Sequence, residues 1–237
     1  MRWGIALSAL VLLCSAAASG SSDARASTCP GNLANQLADT GSATQLITVV
    51  SARGRSTTGS LRLWRKSGEC WIGVDGPWTA HLGRNGVSET KREGDKTTPA
   101  GAFGIQPVMY GVGPNPDVRY RYHRIACGDW WVEDSHSRFY NRFHHVRCGT
   151  KPPFRITSED MARSPISYRY LAVIAYNSHP IVPGRGSGIF LHVSATGGPT
   201  LGCVSLTRAQ LITVLLWLDP AASPEIVIGT AAAIRGY

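Results

Sequence analysis

Charge is scarce in this 237-residue chain. Asp, Glu, Lys and Arg make up 16% of it, against roughly 25% in ordinary globular proteins. Acid is scarcer than base, with 15 Asp and Glu facing 24 Lys and Arg, so the formal net charge is +9. Low charge with 43% hydrophobic residues excludes a disordered chain, because there is enough apolar surface to bury. The basic excess is not gathered into a Lys/Arg-dense helix or an aromatic RNA-binding motif, so nucleic acid is not an expected partner. An anionic surface, such as a bacterial cell envelope, is. No internal repeat, low-complexity tract or clear domain break is visible after the N-terminal segment. A His-Glu-x-x-His motif is also missing. His136, His144 and His145 lie near Glu133 and Asp134, but without zinc-ligand spacing, and no metal or cofactor is expected. No His follows His192, which argues against the Cys-then-His order of papain-like peptidases.

What is present begins with an N-terminal export signature. From Trp3 to Ser22 there is no charged residue, Ile5 to Leu13 is apolar, and small residues follow at Ala16-Ala17-Ala18 and Ala24-Arg25-Ala26. Residues 1–26 read as a secretory signal, with a retained membrane anchor or lipidation at Cys14 as alternatives. The chain has six cysteines: Cys14, Cys29, Cys70, Cys127, Cys148 and Cys203. Cleavage removes Cys14 and leaves an odd number in an oxidising compartment, so one thiol is left over. Cys203 is the candidate, because it sits in the Gly-rich loop Pro199-Thr200-Leu201-Gly202-Cys203. Four cysteines then allow three connectivities. The most local in sequence is Cys29–Cys70 with Cys127–Cys148.

The elements after the signal predict a mainly β fold. Residues 27–44 form a lead-in, with a helical turn or two over 32–37. Gln45 to Ser51 is rich in β-branched residues and reads as a strand. Ser60 to Arg65 alternates apolar and polar residues, as a half-buried strand does. Cys70 to Val74 and Trp78 to Leu82 read as two strands either side of Gly76-Pro77. Lys91 to Gly101 is a polar loop, and extended structure resumes at 102–105. Residues 110–165 are a loop-rich insert in which Trp130, Trp131, Tyr140 and Phe143 either line a groove or pack. Further strands are expected within 168–176, 188–193 and 225–228. Thr207-Arg208-Ala209-Gln210 has capping-box spacing. Leu211, Val214, Leu215 and Leu218 follow on one helical face, and Pro220 stops that single C-terminal helix. Residues 230–237 form a tail.

The chemistry concentrates where Ile189-Phe190-Leu191-His192 precedes Gly202-Cys203. An imidazole and a thiol are what nucleophilic catalysis by cysteine needs, because the thiolate is the nucleophile and a base must generate it. Together with Gly198-Pro199-Thr200-Leu201-Gly202-Cys203-Val204, this segment resembles the signature of L,D-transpeptidases, the YkuD-type domain. A second block agrees: Lys91 to Phe103 resembles the family's Lys-x-Gly-Asp…Thr-Pro-x-Gly-x-Phe segment. The resemblance covers about residues 45–229. It departs from the family at Leu201, where His is usual, and at Ser205 and Lys96.

The resemblance implies a β-sheet or sandwich fold with the site in a groove beside the sheet. It implies that Cys203 attacks a stem peptide of peptidoglycan, releases D-Ala and forms a thioester. A neighbouring stem amine resolves it to a 3→3 crosslink, or water does, as in an L,D-carboxypeptidase. His192 is the expected base, and a preformed thiolate–imidazolium pair would lower the thiol pKa. Backbone N–H groups of Gly202 and Cys203 are the expected oxyanion donors, and Thr200 is expected to hydrogen-bond near the thiol. Tyr176, His179, Lys91 and Asp95 are candidate substrate contacts, and carbapenem β-lactams are expected inhibitors. The departures at Leu201 and Ser205 leave a non-catalytic wall-binding module as the rival reading.

Overall fold

A computed structural model describes Met1 and residues 29–237. The expectations for an export signal and for Cys14 fall on residues outside the described ones. Strands dominate the rest, joined by one α-helix and short 3-10 turns. β1 (Gln45–Ser51) is buried on both faces, which explains its apolar, β-branched sequence. It pairs antiparallel with β2 (Thr58–Ser67). There Leu61 and Leu63 point inward while Ser60 and Arg62 stay exposed. The next strand corrects the sequence reading. Cys70–His81 is one strand, β3, and not two. Gly76-Pro77 lies within it, and the pairing with β2 shifts register between Leu61 and Leu63. A register shift accommodates a Pro that cannot donate to the ladder.

The polar loop after β3 carries a two-residue parallel pair, β4 (Val87–Ser88) with β5 (Thr98–Pro99). The chain then enters β6 (Gly101–Gly111) and β7 (Arg121–Arg124), which run parallel. The insert builds its own three-stranded sheet from β8 (Asp129–Trp131), β9 (Phe143–His145) and β10 (Glu159–Asp160). β11 (Leu171–Ile174) returns to the main sheet, followed by β12 (Phe190–Val193) and β13 (Val204–Leu206). The helix α1 (Arg208–Trp217) then leads to β14 (Glu225–Thr230).

The main sheet has the order β11-β12-β13-β3-β2-β1-β14-β6-β7, and a further pairing of β11 with β6 closes it on itself. Its interior is one apolar cluster that includes Ile47, Leu61, Leu191, Val204 and Ile226. The helix covers part of that core. Thr207 accepts from the Gln210 N–H, and the Gln210 side chain accepts from the Thr207 N–H, completing the capping box. Leu211, Val214, Leu215 and Leu218 are fully buried.

Trp130, Trp131, Tyr140 and Phe143 of the insert pack and do not line the main cavities. Trp131 and Tyr140 are buried, and Trp131 lies edge-on to Phe190 of β12 at 5.1 Å. The insert is fastened by the Cys127–Cys148 disulfide, and the lead-in is tied to β3 by Cys29–Cys70. His136, His144 and His145 have separate partners. The first bonds Asp134, the second stacks on Phe139, and the third bonds Asp129.

Candidate active site

Two neighbouring strands set the geometry. β12 and β13 run parallel, with His192 opposite Ser205. Cys203 lies in the loop immediately before β13. His192 and Cys203 both line a cavity of about 500 Å³. Cys203 is the one free cysteine among the described residues.

The loop that carries Cys203 is tightly built. Thr200 Oγ1 donates to the Cys203 carbonyl at 2.7 Å and accepts from the Gly202 N–H at 3.1 Å. The loop is moored to β3 and the β4–β5 segment. The Thr200 N–H donates to Leu82 O at 2.8 Å, and Thr98 Oγ1, which accepts from Gly83 N, reaches the Cys203 carbonyl. Gly202 has φ +145°, and a Cβ there would lie 2.9 Å from Thr97 O. Only glycine fits that close approach.

These bonds change one expectation. The Gly202 N–H is spent on Thr200 and is not a free oxyanion donor. The Cys203 N–H has no acceptor among the described residues and remains available.

The imidazole is held by a backbone group. His192 Nδ1 lies 2.9 Å from Val193 O. A carbonyl can only accept, so Nδ1 carries the proton and Nε2 is left with its lone pair. The ring is packed edge-on to Tyr168 at 5.8 Å. Burial pushes its pKa down to about 4, with the Val193 carbonyl opposing.

The thiol is neutral as well. Cys203 is pushed up to about 12, chiefly by burial, with the nearby Glu133 and Glu159 carboxyls acting in the same direction and Lys91 against it. The Phe190 N–H, 3.4 Å from Sγ, opposes that rise. The thiol donates to Gly188 O at 3.3 Å, and no hydrogen bond joins it to His192. Both shifts favour the neutral thiol and the neutral imidazole, the opposite direction from the expected preformed ion pair. The physical reason is burial of both groups without a counter-charge strong enough to offset it.

The remaining wall of the cavity comes from segments whose role the sequence does not reveal. Asn141 Oδ1 accepts from Trp131 Nε1 at 3.0 Å and from the Gly188 N–H at 3.1 Å. It thereby ties the insert to the residue whose carbonyl receives the thiol proton. Glu93 accepts from the hydroxyls of Tyr140 and Ser187, fixing the approach to β12. Glu133 lines the cavity. Its carboxyl is pushed up to about 8, first by burial and then by Glu159 and Glu93. No motif flags these residues, because they meet only through the packing of the insert.

The four expected substrate contacts separate. Lys91 is buried, lines the cavity and pairs with Asp95 at 2.9 Å. Asp95 itself stands outside the cavity wall and organises its loop. It accepts from the Thr97 and Arg92 N–H groups. Burial raises its pKa, but these bonds and Lys91 outweigh that and hold it low. Tyr176 is also outside the wall. Its hydroxyl donates to Arg185 O, and its ring packs edge-on to Phe103 at 5.6 Å. His179 is exposed on the following turn and does not line the cavity.

Residues 48–228 match the family model of the L,D-transpeptidase catalytic domain, YkuD. No curated protein and no solved structure matches the chain.

Proposed function

This chain belongs to the L,D-transpeptidase catalytic domain family, and on that premise we propose that it is an exported cysteine acyltransferase acting on peptidoglycan stem peptides. The observation that carries the reading is that a free thiol, Cys203, and an oriented imidazole, His192, line one cavity.

The mechanism starts from neutral partners. Substrate binding displaces water, and the Cys203 side chain leaves Gly188 O. His192 Nε2 takes the thiol proton as Sγ attacks the carbonyl of the third stem residue. The S–C bond forms, the carbonyl π pair moves to oxygen, and the Cys203 N–H stabilises that oxyanion. Collapse breaks the C–N bond to D-Ala, whose amine takes the proton back from the imidazolium. A neighbouring stem amine then attacks the thioester. Its proton passes through His192 to the departing sulfur, leaving a 3→3 crosslink. Water in place of the amine makes the same site an L,D-carboxypeptidase.

A carbapenem tests the reading, because it acylates such a thiol without a second substrate. Wild type is expected to gain one carbapenem mass by intact-mass spectrometry, and Cys203→Ala to gain none. His192→Ala is expected to lose acylation while keeping its fold. An unmodified wild-type protein would instead favour a wall-binding module. Muropeptide digestion then separates crosslinked dimers from trimmed monomers by mass.

A further inference from the structure

A second cavity of about 730 Å³ opens beside the catalytic one. The two share thin walls. Tyr168 lines the catalytic cavity and its neighbour Arg169 lines the second, while Ser194 lines both. The second cavity is cationic. Arg169, Arg208 and His81 line it, and none of its lining residues is acidic.

The two guanidinium groups are placed in a way that calls for an anion. Both lie against the same ring, at 5.8 Å and 6.0 Å from the Tyr170 centroid. Neither forms an ion pair among the described residues. Arg169 Nε is buried and has no hydrogen-bond partner. The aromatic face offsets part of the cost of placing each guanidinium there but supplies no counter-charge. A carboxylate does, and its two oxygens match the guanidinium fork. Arg208 also opens the ten-residue α1, whose first N–H groups favour negative charge at that end.

The catalytic cavity is mixed in charge, lined by Glu93, Glu133 and Glu159 and also by Arg84, Lys91 and Lys96. An acyl acceptor carries an attacking amine and, on the same molecule, at least one carboxylate. The acid end suits the second cavity, whose lining holds two guanidinium groups and no acid, while the amine must reach Cys203 in the first.

We propose that the second cavity anchors the carboxylate of the acyl acceptor, a peptide whose amine enters the catalytic cavity to attack the Cys203 thioester. This rests on the acyltransfer reading above. Arg169 and Arg208 hold the acid end, and they touch the substrate without joining the bond-making step.

The test compares two acceptors, a diamino tripeptide with a free C-terminal acid and the same tripeptide as its C-terminal amide. With wild type, the acid is expected to show an acceptor KM about tenfold lower than the amide, in line with charge-assisted bonding. In Arg208→Gln, an exposed position that folding tolerates, the acid-to-amide preference is expected to fall to about twofold or less. Equal KM values in wild type, or an undiminished preference in the variant, would overturn the proposal. Calorimetry with Cys203→Ala reads the same anchor without turnover. The acid is expected to bind about tenfold tighter than the amide, and equal affinities would overturn the anchor too. The carbapenem adduct keeps the two readings apart. Its absence from wild type sinks the enzymatic reading, whereas an adduct without any acid preference sinks only the anchor.

Discussion

Burial favours the neutral forms of Cys203 and His192, and alkylation kinetics test it. A thiol near 12 in place of 9 carries about a thousandfold less thiolate at pH 7.5. The more basic thiolate is intrinsically more nucleophilic, by about 16- to 32-fold for a Brønsted slope of 0.4–0.5. The net rate with iodoacetamide should therefore be about 30- to 60-fold below that of an unburied cysteine, before any steric hindrance. The assay is intact-mass quantification of carbamidomethylated protein against time, from pH 6 to pH 10. The rate should rise tenfold per pH unit with no plateau over that range. His192→Ala should change it little, since no hydrogen bond joins the two residues. Carbapenem acylation of the same protein should depend on His192, because there the base acts in the transition state. A plateau in the alkylation rate near neutral pH, abolished by His192→Ala, would show a preformed ion pair and refute this account.

Three further outcomes follow from named contacts. Glu133 is held protonated up to about pH 8 in the folded protein, against 4.5 in its ordinary state. Between those values the native state binds a proton that the unfolded chain has shed, so this stabilisation is present at pH 4.5 and lost as pH rises through 8. Glu133→Gln should therefore flatten the fall in melting temperature between pH 5 and pH 8.5, and parallel curves for the two proteins would contradict it. Gly202→Ala places a Cβ against Thr97 O in a backbone region that L residues avoid, which should cost about 1–3 kcal/mol in urea unfolding and reduce acylation by the carbapenem. Replacing Cys127 and Cys148 with Ser opens a loop with a sequence separation of 21 and should cost about 3 kcal/mol. If that double variant unfolds at the same urea concentration as wild type, the bridge contributes nothing.

Local signals carried most of the strands and the helix. β1, β2 and β14 follow from β-branched runs and alternation, and α1 follows from Thr207, Gln210 and its apolar stripe, because these depend on neighbours within a few residues. The Gly-Cys loop was readable for the same reason. β3 was divided at Gly76-Pro77 in the sequence reading, since only pairing with β2 reveals that a register shift absorbs the proline. The insert was the least legible part. Its small sheet and its grip on Gly188 through Asn141 depend on residues 47 apart, and no periodicity encodes such a contact.

The sequence by itself determined which groups are available for chemistry: the Cys203 thiol, an imidazole eleven positions before it, and a glycine that lets the chain turn between them. Tertiary structure decided their state. Burial made the thiol and the ring neutral, Val193 O selected the tautomer, and Thr200 took the Gly202 N–H. It also brought Glu133 and Glu159 near the sulfur and left Arg169 and Arg208 without an ion-pair partner among the described residues. Composition specifies what groups exist, but protonation and partnership depend on solvent exclusion and on distances set only when remote segments pack.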